Sequence, residues 1–192
     1  MRYSIVTPTI IRPSLEKLCQ TVDNQSDKDY EHILIVDMPF KEFVADEERR
    51  NRLSSIPANL QRKFFYCDKR HMNYGHTCRH NIAPLLRGDY VLYVDDDDYL
   101  ADNDVLRTLQ AVTKDWAIFP IRRYGSLYFQ NPPGLCKTGT GMFIHKRELG
   151  VWPDRNEYEA DGHFVEELIK KAPYEVLNTR PLVIMEVSSR GV

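Results

Sequence analysis

The apolar run Tyr90-Val91-Leu92-Tyr93-Val94 ends in consecutive aspartates, Asp95–Asp98. A short run of this kind, opened by the turn signal Gly88-Asp89, reads as a buried strand. Carboxylates at the end of a buried strand are held rigidly at the edge of a sheet. Adjacent like charges repel, so the arrangement is costly unless a cation occupies it. Hard oxygen ligands suit Mg²⁺ or Mn²⁺, and such ions commonly arrive with a phosphate-bearing substrate.

The segments before this strand repeat its logic. Tyr3-Ser4-Ile5-Val6-Thr7 reads as a strand stopped by Pro8. Leu15, Leu18, Cys19 and Val22 recur at helical spacing, with Pro13 and Ser14 as start signals. Ile33-Leu34-Ile35-Val36 is a second apolar run, ending at Asp37. Apolar runs separated by a helix predict parallel strands buried on both faces. The stretch from Pro39 to Asn59 is polar and reads as an exposed helical excursion. Phe64–Cys67 is expected as a third strand, and His76–Leu86 as a helix that Pro84 ends or kinks. Asp104 is placed to cap a helix through Val105, Leu106, Leu109 and Val112. Beyond it, strands are expected over Trp116–Ile121, Gly139–Ile144 and Leu182–Met185, and a helix around Phe164, Leu168 and Ile169.

A chain of 192 residues supports one domain with a real core. Its formal net charge of −2, with both signs interspersed, argues against a nucleic-acid binder working by bulk electrostatics. Cys19, Cys67, Cys78 and Cys136 form no Cys-x-x-Cys pair and are read as reduced, mostly packed thiols of a cytoplasmic protein. Met1-Arg2 is read as leading straight into the first strand, so no signal peptide is expected, and no apolar stretch is long enough to span a membrane. A peripheral membrane contact through a partner or acceptor stays open.

Ligands of open α/β sheets sit beyond the carboxyl ends of the strands. Here Thr7-Pro8-Thr9, Asp37 and Asp95–Asp98 occupy three such ends, and parallel strands bring them to one edge. Asp37 can accept from a base N–H or a ribose hydroxyl, Thr9 can hold the base or a phosphate, and the aspartates can hold a metal bridging a diphosphate. Asp is also a common turn residue, and for Asp37 alone that reading is equally good. Four in a row are much harder to explain as turns.

Ser4-Ile5-Val6-Thr7-Pro8-Thr9, then Ile35-Val36-Asp37, then Asn73-Tyr74-Gly75 with Arg79, then the block from Gly88 to Asp98 resembles the family-two glycosyltransferases of the GT-A fold. Glu159-Ala160-Asp161-Gly162 resembles that family's acidic pair near the acceptor. The resemblance implies an α/β, Rossmann-like, mixed but mostly parallel sheet flanked by helices in a single domain. Residues 1–98 would be its nucleotide-binding half and 99–192 its acceptor-side half. It implies that Thr7, Pro8, Thr9 and Asp37 line the nucleoside pocket and that Arg79 lies near the phosphates or braces the metal loop. Asp95 and Asp97 match the family's Asp-x-Asp motif. Asp95 would touch the ribose or sugar, Asp97 would bind the metal (Mn²⁺ or Mg²⁺), and Asp96, beside the nucleotide, would with Asp98 orient the loop. Asp161 matches the catalytic base of inverting members, with Glu159 as rival. The donor would be a nucleotide-diphosphate sugar, UDP-linked in first choice, and the acceptor a carbohydrate or glycoconjugate hydroxyl.

The sequence departs from the family at Arg79-His80, where Arg-Asn is common, with Asn81 one place late. No histidine follows His163 to serve as a late metal ligand. Cys67, His71, His76, Cys78 and His80 are clustered but match no strong zinc spacing, and histidines on a partly exposed helix are the preferred reading. Arg122-Arg123-Tyr124 is read as a solvated strand end, and Lys137 in the loop Gly134–Gly141 as a potential aid to the phosphates or the acceptor. Trp116 and Trp152 are read as core or rim, with Trp152 a candidate sugar platform. The competing functions are a nucleotidyltransferase, which would normally carry a glycine-rich phosphate loop after the first strand, and a non-catalytic nucleotide- or carbohydrate-binding domain.

Overall fold

The computed structural model describes residues 3–186; Met1 and Arg2, read above as leading into the first strand, lie outside the described residues. The chain runs through β1 (Tyr3–Thr9), α1 (Leu15–Asp23), β2 (Tyr30–Val36), α2 (Phe40–Ala45), α3 (Glu47–Ser55), β3 (Arg62–Tyr66), α4 (His76–Ile82) and β4 (Tyr90–Tyr93). It continues through β5 (Asp98–Leu100), α5 (Val105–Leu109), β6 (Trp116–Ile118), β7 (Ile121–Arg123), β8 (Ser126–Tyr128), β9 (Phe143–Lys146), α6 (Ala160–Lys171), β10 (Glu175–Val176) and β11 (Val183–Met185).

A seven-stranded sheet in the order β10-β6-β9-β4-β1-β2-β3 forms the body. Strands β1 to β4 are mutually parallel, as continuous apolar runs separated by helices require. The second half of the chain completes the same sheet: β9 pairs antiparallel with β4 and β6, and β10 pairs parallel with β6. Alternate residues feed two cores. Tyr3, Ile5, Leu34, Val36, Leu92 and Val94 join the buried face of α1 (Leu15, Leu18, Cys19, Val22). Val6, Ile33, Ile35, Val91 and Tyr93 join Cys78 and Ile82 of α4 and Phe164, Val165 and Leu168 of α6. Each fully buried Leu, Ile or Val contributes ~1.5–3 kcal/mol, so both faces must be covered. Between Pro39 and Asn59 the expected excursion consists of α2 and α3; α3 buries no residue and is capped by Asp46, whose carboxylate accepts from Arg49 N–H at 3.0 Å.

Several expectations are corrected. β1 runs through Pro8 to Thr9, because β4 pairs only with Tyr3–Val6 and Pro8 extends the strand beside β2 alone. The segment Trp116–Ile121 is two strands: the chain breaks at Phe119-Pro120 and passes from the large sheet into a four-stranded sheet of order β5-β11-β7-β8. Thr140–Met142 is a 3₁₀ turn, and the strand begins only at Phe143. Asp104 makes no side-chain cap; it accepts from the Ser26 hydroxyl at 2.6 Å, and α5 ends at Leu109.

Gly75 seats α4 on the sheet. Its φ is +76°, and a Cβ there would lie 2.5 Å from Pro8 Cβ and 3.3 Å from Arg79 Nη1. Gly75→Ala is therefore expected to cost at least about 2 kcal/mol from left-handed backbone strain and the Pro8 clash. A shift in the urea unfolding midpoint checks this; an unchanged midpoint would show that the α4 start yields freely.

Candidate active site

The parallel strands deliver their carboxyl ends to one edge. Thr9 C=O accepts from Asp37 N–H at 2.9 Å, and Val6 C=O accepts from Val94 N–H at 3.1 Å. The three polar strand ends singled out in the sequence therefore meet. Asp37 is buried and accepts from the backbone N–H of His71 at 2.8 Å and of Met72 at 3.1 Å. It thus pins the loop that leads into Asn73-Tyr74-Gly75. Thr7 is fully buried, its hydroxyl 3.4 Å from His32 Nε2. Pro8 packs under Gly75.

The aspartates do not stay in one row. The strand ends at Tyr93, and a turn closed by Asp98 N–H to Asp95 C=O at 3.1 Å folds the run back. Asp96 is drawn toward β1, where it accepts from the Thr9 hydroxyl at 2.7 Å and from Ile10 N–H at 3.3 Å. Asp95, Asp97 and Asp98 each bring one carboxylate oxygen within 4.8 Å of the others. Asp98 is buried, and its Oδ2 has no hydrogen-bond partner among the described residues. Three convergent carboxylates, one with an orphaned buried oxygen, fit a hard divalent cation.

Two arginines flank this cluster. Arg79 is almost fully buried; one Nη bonds Asp95, the other donates to Tyr74 C=O at 2.8 Å, and the guanidinium lies 4.7 Å over the Trp152 ring. Arg12, which sequence reasoning did not assign to the site, reaches Asp97 at 2.7 Å and Asp96 at 3.2 Å. Its only sequence signal was a cation just beyond the first strand. Being 43% exposed, it makes weak, screened pairs that a metal can displace.

Asp161 opens α6 and accepts from Gly162 N–H at 2.7 Å. Burial pushes its carboxyl up to about 6; the nearby Asp95 charge adds to this, and Arg79 opposes it. Asp161 is therefore near enough to Asp95 and Arg79 to feel both charges. Glu159, the rival base, is exposed. Gly162 allows this approach: a Cβ would lie 2.7 Å from Leu135 Cα, so the loop from Gly134 packs on the first turn of α6.

Other candidates settle differently. Trp152 is fully buried, which removes it as a sugar platform; its Nε1–H donates to His76 Nδ1 at 3.2 Å, and its carbonyl lies 2.8 Å from His80 Nδ1. Those two histidines thus brace Trp152 beneath Arg79, while Cys67 and His71 of the same sequence cluster converge instead with Asp37, one ligand atom of each within 4.8 Å of the others. Trp116 is core, its Nε1–H donating to Ala172 C=O at 2.9 Å. Arg123 packs 5.2 Å and 5.4 Å over the rings of Tyr124 and Tyr128. Lys137 is exposed. Among the described residues no helix is long and apolar enough to cross a membrane.

The charge state of this site is tied to stability. Burial, then repulsion from Asp95, Asp97 and Asp96, pushes the Asp98 carboxyl up to about 9; burial takes Asp96 up to about 6. Raised carboxyls hold protons that the unfolded chain has lost. Their stabilisation is present below the unfolded value near 4 and disappears as pH rises toward 9. The melting temperature of metal-free protein is expected to fall by about 4 °C or more between pH 6 and pH 9, corresponding to ~1–2 kcal/mol. Mn²⁺ should raise it more at pH 9 than at pH 6, because binding displaces protons. Scanning fluorimetry checks both, and a flat profile would refute them.

No family model and no curated protein matches the sequence. Solved structures do match the fold. S. aureus TarS 1–349 superposes with a TM-score of 0.72 at 17% identity, over 97% of this chain and 60% of that one. The mannosyltransferase PcManGT from Pyrobaculum calidifontis, solved with GDP-Man and Mn²⁺, gives 0.71 at 15% identity, over 99% of this chain and 58% of that one. HddC from Yersinia pseudotuberculosis gives 0.62 at 11% identity, over 96% and 93%. The chain thus spans about 60% of the length of TarS 1–349. With the mixed, mostly parallel sheet, the polar strand ends gathered at one edge and these superpositions together, the chain has a glycosyltransferase fold of the GT-A type.

Proposed function

We propose that the protein transfers a sugar from a nucleotide-diphosphate donor, UDP-linked in first choice, to an acceptor hydroxyl with inversion, in the presence of Mn²⁺ or Mg²⁺. The observation that carries this reading is the Asp95/Asp97/Asp98 carboxylate cluster at one sheet edge, braced at Asp95 by Arg79, with Asp161 near enough to feel the charges of both Asp95 and Arg79. TarS 1–349 binds UDP-GlcNAc and PcManGT binds GDP-Man with Mn²⁺, which supports the donor class.

Asp97, aided by Asp95 and Asp98, would hold the cation, which supplies charge neutralisation to the leaving diphosphate. Pro8, Asp37 and the loop that Asp37 pins would shape the nucleoside side, with Thr7 supporting β1 from within. Thr9 and Asp96 satisfy each other, so their part is to fix the crevice floor from which Asp95 reaches the ribose or sugar. Arg79 holds Asp95 in place. Asp161 takes the proton of the acceptor hydroxyl as it attacks the anomeric carbon from the side opposite the diphosphate. The nucleotidyltransferase alternative is less well supported: Thr9–Ser14 carries Arg12 but no glycine.

The test is transfer and donor hydrolysis with a panel of sugar nucleotides, with Mn²⁺ and with chelator. The expected result is metal-dependent release of a nucleoside diphosphate from one donor class. Release of pyrophosphate from a nucleoside triphosphate would favour the nucleotidyltransferase. Absence of any nucleotide-induced thermal shift would leave a non-catalytic domain.

A further inference from the structure

Cys67 and Cys78 stand apart in sequence and together in space. Cys67 follows β3, its N–H held by Val36 C=O at 3.0 Å. Cys78 lies in α4 and is buried, whereas Cys67 is partly exposed. Their sulfurs are 3.2 Å apart, and both are free thiols. A disulfide spans about 2.05 Å between sulfurs, so the two must approach by a further ~1 Å to join. We propose that Cys67 and Cys78 form an oxidisable dithiol site, converted by a hydroperoxide to a reversible disulfide that weakens nucleotide binding next to it.

The site has an order of reaction. The hydrogen bond from Cys78 lowers the pKa of the Cys67 thiol and raises that of Cys78, so thiolate forms first at the sulfur that solvent reaches. Cys67 thiolate attacks the peroxide, the O–O bond breaks, and Cys67 becomes a sulfenic acid while ROH leaves. Cys78 loses its proton and attacks the Cys67 sulfur; the S–S bond forms, the S–O bond breaks, and the oxygen leaves as water. In sum, two thiols and one ROOH give one disulfide, ROH and water. A small thiol reductant reverses it by exchange.

The consequence for the nucleotide rests on the donor site proposed above; the dithiol chemistry does not. The Cys67 sulfur lies within 4.8 Å of an Asp37 carboxylate oxygen and a His71 ring nitrogen. Cys78 immediately precedes Arg79, which grips Asp95, and Gly75 leaves α4 no slack against Pro8. Drawing the sulfurs together therefore strains the Asp37 end and the Arg79 end of the crevice at once. A misplacement of ~1 Å in such a site can cost up to about 100-fold.

The experiment treats the reduced full chain with one equivalent of hydrogen peroxide, followed by non-reducing peptide mass mapping and UDP titration with Mn²⁺. Expected are a linked peptide joining Cys67 to Cys78, loss of two hydrogens, and UDP affinity lowered at least about fivefold and restored by dithiothreitol. Cys67→Ser and Cys78→Ser each remove the linkage, and Cys136→Ser leaves it intact. The wild-type peptide map decides the matter even if a variant folds poorly. Cys67 appearing as sulfinic acid with Cys78 still free overturns the proposal, as does one equivalent of co-purifying zinc that protects both thiols. A linked peptide with unchanged UDP affinity overturns the regulatory part. A linked peptide in a protein that binds no nucleotide in either state leaves the dithiol site standing and removes the donor reading instead.

Discussion

Asp161→Asn is expected to lower the transfer rate by about 10²–10⁴-fold, the usual scale for losing a positioned general base. The substitution keeps the side chain's shape and the acceptor oxygen that takes Gly162 N–H at 2.7 Å. It removes only the ability to accept a proton from the acceptor hydroxyl. Donor KM should stay within about threefold, because uniform binding is untouched. Stability should hold or rise: burial keeps the Asp161 carboxyl up near 6, so its charged form is unfavourable in the fold at neutral pH, and a neutral amide removes that cost. The wild-type rate should fall as pH drops below about 6, since the base works deprotonated, and the residual rate of the variant should lack that limb. Glu159→Gln, at an exposed position, should change the rate by less than about twofold. Steady-state kinetics over pH 5–9 decide this. Full transfer by Asp161→Asn would place the base elsewhere.

Much of the donor side was legible because strand-end chemistry depends on local pattern. The apolar runs of β2 and β4 and the spacing of α1 determine which residues are buried, and parallel pairing then brings Asp37 and Asp95 to one edge. The sorting of Asp95–Asp98 was not legible. A strict alternation groups Asp95 with Asp97 and Asp96 with Asp98, yet the turn after Tyr93 sends Asp96 to Thr9 and returns Asp98 to the cluster. That outcome depends on a long-range partner, Thr9, which periodicity cannot supply. Pro120 hid a similar event: Trp116–Ile121 has the composition of one strand, but the proline lets its two halves enter different sheets. Trp152 is core, as first read, and only its candidacy as a sugar platform fails, while Arg12 went unassigned. An aromatic near an acidic pair in sequence has no fixed exposure until α4 packs beneath it, and an arginine in a loop has no partner until the loop closes.

The second large effect is expected at Arg79, where a buried cation holds an acidic neighbour. Arg79→Met should destabilise the protein by about 3 kcal/mol, near the lower end for breaking a buried pair, because the Asp95 side chain is 33% exposed and water recovers part of the loss. Methionine fills the space over Trp152 yet leaves the Tyr74 carbonyl without its donor and Asp95 facing Asp97 uncompensated. Burial already pushes the Asp95 pKa up against the pull of Arg79, so loss of the guanidinium pushes it further up and makes the charged carboxylate costlier in the fold. The pair can be separated from simple packing by a double-mutant cycle. Asp95→Asn in the Arg79→Met background removes the stranded charge, so the double variant should be more stable than Arg79→Met alone, with a coupling of about 1–3 kcal/mol. Urea unfolding of the four proteins measures this. Additive effects would mean that Arg79 acts only as filler above Trp152. Coupling would tie the stability of α4 to the carboxylate at the end of β4, and through it to the site that the aspartate run builds.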